Sequence, residues 1–175
     1  MRRDPRDQYD DLITMEDEEY VSSDDFESQK RTDTARSGWA IGALVFDSDD
    51  RILLVDNYWA DGWIVPSGGV KPGESLSDAV VREVNEEGGV DVTPVRPHAI
   101  TDSTTVNEAT GESFDTSFVL FEATAETTTI PDELGESKDE VSDAEWFDTL
   151  PENVYNRNLT KRVFHRSIET DRDGV

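Results

Sequence analysis

Four residues near the middle of the chain, Arg82, Glu83, Glu86 and Glu87, have the types and spacing to do chemistry together. On a helix turning about 100° per residue, Glu83 and Glu87 fall within about 40° of each other, and Glu86 lies about 60° round from Glu83. Leu76, Ala79 and Val80 share that arc, so three carboxylates occupy the face that such a helix turns toward its core. The arrangement is costly. Each carboxylate loses hydration, the three repel one another, and they sit in the last turns, where the helix dipole disfavours negative charge. Arg82, four residues before Glu86, supplies one compensating charge and can hold that side chain in a single rotamer. It cannot neutralise three. A hard divalent cation, Mg²⁺ or Mn²⁺, can, because it accepts carboxylate and carbonyl oxygens, keeps several waters and bridges to substrate phosphates. Two readings stand for these residues. One is a metal site of this kind, favoured by the inward arc; the other is a solvated acidic helix end, which an acid-rich background allows.

The elements that must position this cluster are legible on both sides of it. Ser67-Gly-Gly-Val-Lys-Pro-Gly73 cannot form a helix or a regular strand and reads as a loop with tight backbone turns. Its glycines allow a backbone carbonyl to approach a cation closely. Ser75, with Asp78 three residues on, makes an N-cap for a helix over 76–87, and Gly88-Gly89 stop it. Before the loop, 39–46 reads as a buried strand, Asp47-Ser-Asp-Asp50 as a solvent-facing turn and 51–55 as the hairpin partner. Beyond the helix, strands are expected near 92–102, 113–125 and 142–147, and a last helix near 159–168. Strands mixed with two helices predict an α/β fold with a mixed sheet covered on both faces. Residues 1–35 carry crowded acids and scattered single apolars, and are expected to be a partly disordered arm or a short surface helix; 169–175 form a tail.

Composition bounds the partners. The 175 residues are 34% hydrophobic and 33% charged, and 41 acids against 16 basic residues give a net charge of -25. Four Trp and seven Phe argue against whole-chain disorder despite that charge. Adaptation to a salt-rich cytoplasm fits better than a specialised acidic interaction protein. At ~1 M salt the Debye length is about 3 Å, so repulsion among surface carboxylates is screened. The 12 Arg against four Lys lean the same way. No run approaches the roughly 20 apolar residues of a membrane span, and no hydrophobic signal core follows Met1, so a soluble, cytoplasmic protein is expected. No basic stripe for nucleic acid or an anionic membrane is visible. A small phosphorylated substrate stays open if a cation bridges. The absence of cysteine excludes disulfides and thiolate metal sites.

Gly68, Glu74 and the run Arg82-Glu-Val-Asn-Glu-Glu-Gly-Gly-Val90 resemble the Nudix box at every defined position of its spacing, including the aliphatic Val84 and Val90. The resemblance extends to the strand pair 39–55, to Trp63-Ile-Val-Pro66 and to Glu140–Phe147, and so covers residues 36–168 as one domain. It implies an α/β/α sandwich and Mg²⁺-dependent (or Mn²⁺-dependent) hydrolysis of a nucleoside diphosphate linked to another moiety, X. Glu83, Glu86 and Glu87 would then be the metal ligands, with the Gly68 carbonyl as an additional one. Arg82 would orient the glutamates, while Glu74, Gly73 and Gly89 would support the loop and the helix end. Glu140 is the first choice for the base that takes the water's proton, with Glu136 in reserve and Glu133 and Asp139 nearby. A nucleotide-sugar or modified nucleoside polyphosphate is the expected substrate. A nucleotide-sensing module without turnover is the alternative, which loss of box glutamates would favour; none is lost. Oligomeric state is left open, a homodimer included. Trp63 reads as a core plug before it reads as a stacking platform, His98 and His165 as structural or superficial, and Lys161, Arg162 and Arg166 as partners of surface acids. Leu54-Val-Asp-Asn57 lacks the basic residues that many relatives carry there, and no signature selects a subfamily.

Overall fold

The computed structural model describes residues 4–58, 60–134 and 141–173. A 3-10 turn at Pro5–Asp7 leads into β1 (Ile13–Val21), α1 (Ser23–Lys30) and α2 (Asp33–Ser37). Then come β2 (Trp39–Phe46), β3 (Ile52–Asn57), β4 (Gly62–Ile64), β5 (Ser67–Gly69) and α3 (Leu76–Gly88). The last elements are β6 (Val92–Asn107), β7 (Ser113–Ala125), β8 (Val141–Phe147) and α4 (Arg157–Asp173).

All eight strands belong to one sheet in the order β1-β6-β7-β2-β3-β4, with β5 also pairing β2 and β8 also pairing β3. The sheet is mixed: β1 runs parallel to β6 and β2 parallel to β7, while β6/β7, β2/β3, β2/β5, β3/β4 and β3/β8 are antiparallel. Phe46 lies opposite Ile52 across the β2/β3 pair, so Phe46 and the neighbouring Leu53 point to opposite faces. One face receives α3, whose Gly88 packs so near Leu53 that a Cβ there would sit 2.7 Å from Leu53 Cδ2. The other receives α4, through Phe164 against Phe46 at 5.7 Å between ring centroids. The core lies in these two layers: Ile41, Leu44, Val45 and Leu53 from the sheet, Val80 and Val84 from α3 and Val163 from α4 are fully buried. This is the α/β sandwich that the element pattern implied.

The helix that carries the acids forms as its caps dictate. The Ser75 side chain accepts from the Asp78 N–H at 3.0 Å, and Gly89 ends the helix in the left-handed region at φ 67°. The Asp47–Asp50 turn faces solvent as expected through Ser48, Asp49 and Asp50, but its first residue does not. Asp47 is buried, accepting from the Asp49 and Arg51 amides at 3.0 and 2.9 Å and from Arg51 Nε at 2.8 Å. The carboxylate folds back to satisfy the turn's own donors, and Arg51 covers it.

Composition read the segment before residue 36 as a partly disordered arm or a short surface helix, and more elements are found in it among the described residues. It contributes a nine-residue edge strand and two helices. Phe26, fully buried, packs on Phe114 of β7 at 5.3 Å. Asp11 joins Arg96 of β6 to Arg166 of α4, at 2.5 and 2.6 Å, and Arg6 reaches Asp102 at 2.6 Å. The β1/β6 ladder, three arginine contacts and one aromatic anchor hold a segment whose own apolar content is low.

Candidate active site

The site forms where α3 passes beneath β5. Glu83 and Glu87 are 8% and 3% exposed, and Glu86 is half-buried at the rim, matching the order of their positions around the helix. Gly68 of β5 faces Glu83 so closely that a Cβ at 68 would fall 2.3 Å from the Glu83 carboxyl carbon. Only a residue without a side chain fits there. One residue earlier, the Ser67 amide donates to Glu87 Oε2 at 2.9 Å, which fixes that carboxylate against the strand end.

Arg82 is the centre of the charge balance. Its Nε and Nη2 fork onto the two oxygens of Glu74 at 2.7 and 2.9 Å, Nη1 donates to Glu83 Oε1 at 2.5 Å, and Nη2 also donates to the Gly69 carbonyl at 2.9 Å. Its contact with Glu86, the partner expected from helical spacing, is its longest at 3.4 Å. The main partner is Glu74, eight residues earlier, because the loop returns that carboxylate to the helix flank, where two parallel hydrogen bonds suit the planar guanidinium. Glu74 also accepts from the Lys71 amide at 2.9 Å, which closes the turn through Gly73 at φ 84°.

The electrostatics follow from these partners. The Arg82 guanidinium holds the Glu74 carboxyl below its usual range, and its own pKa is raised by Glu74 and Glu83. Burial pushes Glu83 up to about 7, against the opposing pull of Arg82. The α3 carboxylates are thus shared out between one guanidinium and a strand-end amide. Among the described residues, no three acids or histidines are gathered into a metal-sized cluster.

These residues line a groove of about 1180 Å³. Lys71, Arg82, Glu83, Glu86 and Glu87 line it together with Asn57 and Phe118. Sequence reasoning missed a further part of the lining, made by Ser28, Gln29, Thr32, Asp33 and Thr34. The signals there were local only: Ser22 and Thr32 cap α1 and α2, but no motif marks the stretch as part of a site.

The other candidates fall elsewhere. Glu136, Asp139 and Glu140 lie outside the described residues, and Glu133 lines a separate hollow with Tyr58 and Leu134. Trp63 packs edge-on against Phe147 at 4.8 Å, away from the groove. His98 is buried, 2.6 Å from Glu122 Oε2, and His165 is exposed on α4. Arg166 pairs with Asp11, and Lys161 and Arg162 are exposed.

The acids of this site lie within a stretch that matches a known family. The NUDIX domain family model matches residues 36–163. Diphosphoinositol polyphosphate phosphohydrolase 2 of Homo sapiens is 49% identical over 45 residues, covering 25% of this chain and 25% of that protein. An 8-oxo-dGDP phosphatase of Danio rerio is 33% identical over 60 residues, covering 33% of this chain and 18% of that protein. The chain therefore spans a quarter or less of the length of these curated relatives. A UDP-X diphosphatase crystal structure superposes with a TM-score of 0.48 at 21% identity, over 75% of this chain and 62% of that one. The chain belongs to the NUDIX domain family.

Proposed function

We propose that this member of the NUDIX family is a Mg²⁺-dependent hydrolase that cleaves the phosphoanhydride of a nucleoside diphosphate linked to a further group X, a nucleotide-sugar or a modified nucleoside polyphosphate. The observation that carries the reading is the set of α3 carboxylates in the groove wall, with Glu83 buried and its pKa raised to about 7. With all three ionised, such a set calls for positive charge to offset it, and Arg82 is already divided among three acids.

The donor set suits a hard cation: carboxylate oxygens of Glu83, Glu86 and Glu87 and the carbonyl of Gly68, with no sulfur and no histidine among the groove-lining residues. When bound, Mg²⁺ supplies the charge that lets a diphosphate approach these acids, and it lowers the pKa of a bound water. The protein's own part is positioning. Arg82 fixes the rotamers of Glu74 and Glu83, Ser67 N–H fixes Glu87, and Gly68 leaves room for the Glu83 carboxylate. In the reaction the water oxygen bonds to phosphorus, the bridging P–O bond breaks, and the leaving phosphate keeps the electron pair. The water's proton passes to a carboxylate, for which Glu140 is the first candidate. We also infer that the acidic surface suits the chain to concentrated salt.

The test is a panel of nucleoside-diphosphate compounds offered to the protein in molar KCl with Mg²⁺. Phosphate-containing products should form from at least one member, stop with EDTA, and fall by roughly a hundredfold or more in Glu86→Gln and Glu87→Gln. Undiminished turnover in both variants would remove the carboxylates from the reaction. Tight binding of a nucleotide without turnover in the unmodified chain would instead make it a nucleotide-sensing module.

A further inference from the structure

The groove beside Glu83 has one wall that the family likeness does not reach, since Ser28, Gln29, Thr32, Asp33 and Thr34 all precede residue 36. This wall is held in register with the acids. Thr34 sits so close to β5 that a Cβ on Gly69 would fall 2.8 Å from both Thr34 N and Thr34 Oγ1. Gly69 in turn gives its carbonyl to Arg82. One strand residue thus touches the wall on one side and the guanidinium that organises the acids on the other. Phe26 anchors the helix before it, so the wall is part of the packed body.

The side chains on the wall have a definite chemistry. Thr32 Oγ1 is engaged, donating to the Gln29 carbonyl at 2.7 Å and accepting from the Ala35 amide at 3.2 Å. Among the described residues, the Gln29 amide and the Thr34 hydroxyl make no hydrogen bond with the protein. They present neutral donors and acceptors to the groove, and Asp33 adds a carboxylate. The cations among the described groove residues, Lys71 and Arg82, come from the glycine loop and α3 and not from this stretch. A ligand arm lying along these residues therefore meets hydroxyl, amide and carboxylate groups. A polyanionic arm would be repelled by Asp33. A neutral arm with several hydroxyls would be matched donor for acceptor, and Asp33 can accept from hydroxyls on adjacent carbons. The groove, at about 1180 Å³, exceeds the ~300–1,000 Å³ of ordinary small-molecule sites, so it has space for such an arm beyond a diphosphate.

We infer that Gln29, Asp33 and Thr34 form the recognition wall for X, and that X is an uncharged, hydroxyl-bearing group of the sugar type and not a further polyphosphate. This rests on the hydrolase reading above. The test uses the full chain with Mg²⁺ and three kinds of substrate: a nucleoside-diphosphate sugar, its monodeoxy-sugar analogues, and a dinucleoside polyphosphate. The unmodified protein should prefer the sugar to at least one deoxy analogue and to the dinucleotide. Thr34→Val and Gln29→Leu, which keep shape and should keep the melting temperature, should each lose about tenfold of the preference for hydroxyl over deoxy, through KM and not kcat. Variants that retain the full preference would overturn the inference, as would an unmodified protein that prefers the dinucleoside polyphosphate. An unmodified protein that hydrolyses none of the three but does hydrolyse a modified nucleoside triphosphate keeps the hydrolase reading and overturns the sugar-type X, whereas one that hydrolyses no member of the wider panel sinks the hydrolase reading instead. Calorimetric binding of the same ligands then decides the wall by the same preference, and its absence there overturns the wall as well.

Discussion

The end of α3 and the middle of β1 are both short acid-rich stretches, and they use their acids in opposite ways. Glu16, Asp17, Glu18 and Glu19 stand in sequence on β1 and are exposed on both faces of the strand. Their contacts are peripheral: Tyr20 OH donates to Glu18, Thr105 Oγ1 donates to Glu19, and Glu16 lies beside Asp102 of β6, whose charge Arg6 meets. On α3, Glu83 and Glu87 are buried, and each has a fixed donor. Carboxylates of one kind are therefore a solvated coat in one place and a charge that the fold must balance in the other. Water and salt screen the first set, so each pair is worth little. The second set is costly wherever it lacks a cation.

Removing the cation that the fold itself provides should separate the two regions most. Arg82→Ala leaves Glu74, Glu83 and Glu86 facing one another, and should cost about 2–4 kcal/mol in metal-free urea unfolding. Mg²⁺ should recover part of that loss. Arg82→Lys should not restore the protein, because an ammonium cannot reproduce the two-point contact with Glu74. An Arg82→Ala protein as stable as its parent would place the α3 acids with the coat.

A smaller effect of known sign is expected at Glu83. Its folded pKa of about 7 exceeds the ordinary 4.5, so the folded state binds the proton more tightly than the unfolded chain does. The stability that this contributes is complete below about pH 4.5 and is lost as the pH rises through about 7. Glu83→Gln mimics the protonated form. Without metal it should be more stable than its parent at pH 8, by on the order of 2 kcal/mol, and nearly equal to it at pH 5. Urea midpoints in EDTA at the two pH values check this, and a parent that is the more stable of the two at pH 8 would mean that the Arg82 contact outweighs burial. The smallest effect belongs to β1. Changing Glu16, Asp17 and Glu18 to their amides should raise stability at low KCl and flatten its rise toward molar KCl. An unchanged salt slope would deny the coat its role.

The difference between the two regions also governs what could be read from the chain. Helix α3 was legible because Leu76, Ala79, Val80 and Val84 repeat at helical spacing between a Ser75 cap and a glycine stop, and the acids could be placed on that wheel. Strand β1 was not, because Ile13–Val21 has no alternation to detect; both its faces meet solvent, and its order comes from backbone pairing with β6 and from contacts more than 80 residues away. The Arg82–Glu74 fork escaped for a related reason. Helical spacing reports neighbours four residues apart, whereas this contact crosses a loop whose path only the folded glycines define. Gln29, Asp33 and Thr34 carry no periodicity and no motif, and they join the groove only because Gly69 lets the chain before β2 rest on β5.

The pairing of β1 with β6 has a practical consequence. A polypeptide begun at residue 36, where likeness to other proteins starts, would strip nine residues of ladder from β6 and leave its amides and carbonyls as an open template for other chains. It would also free Arg96 and Arg166 from their common carboxylate. The stretch that matches the family and the stretch whose β6 edge is covered therefore have different first residues.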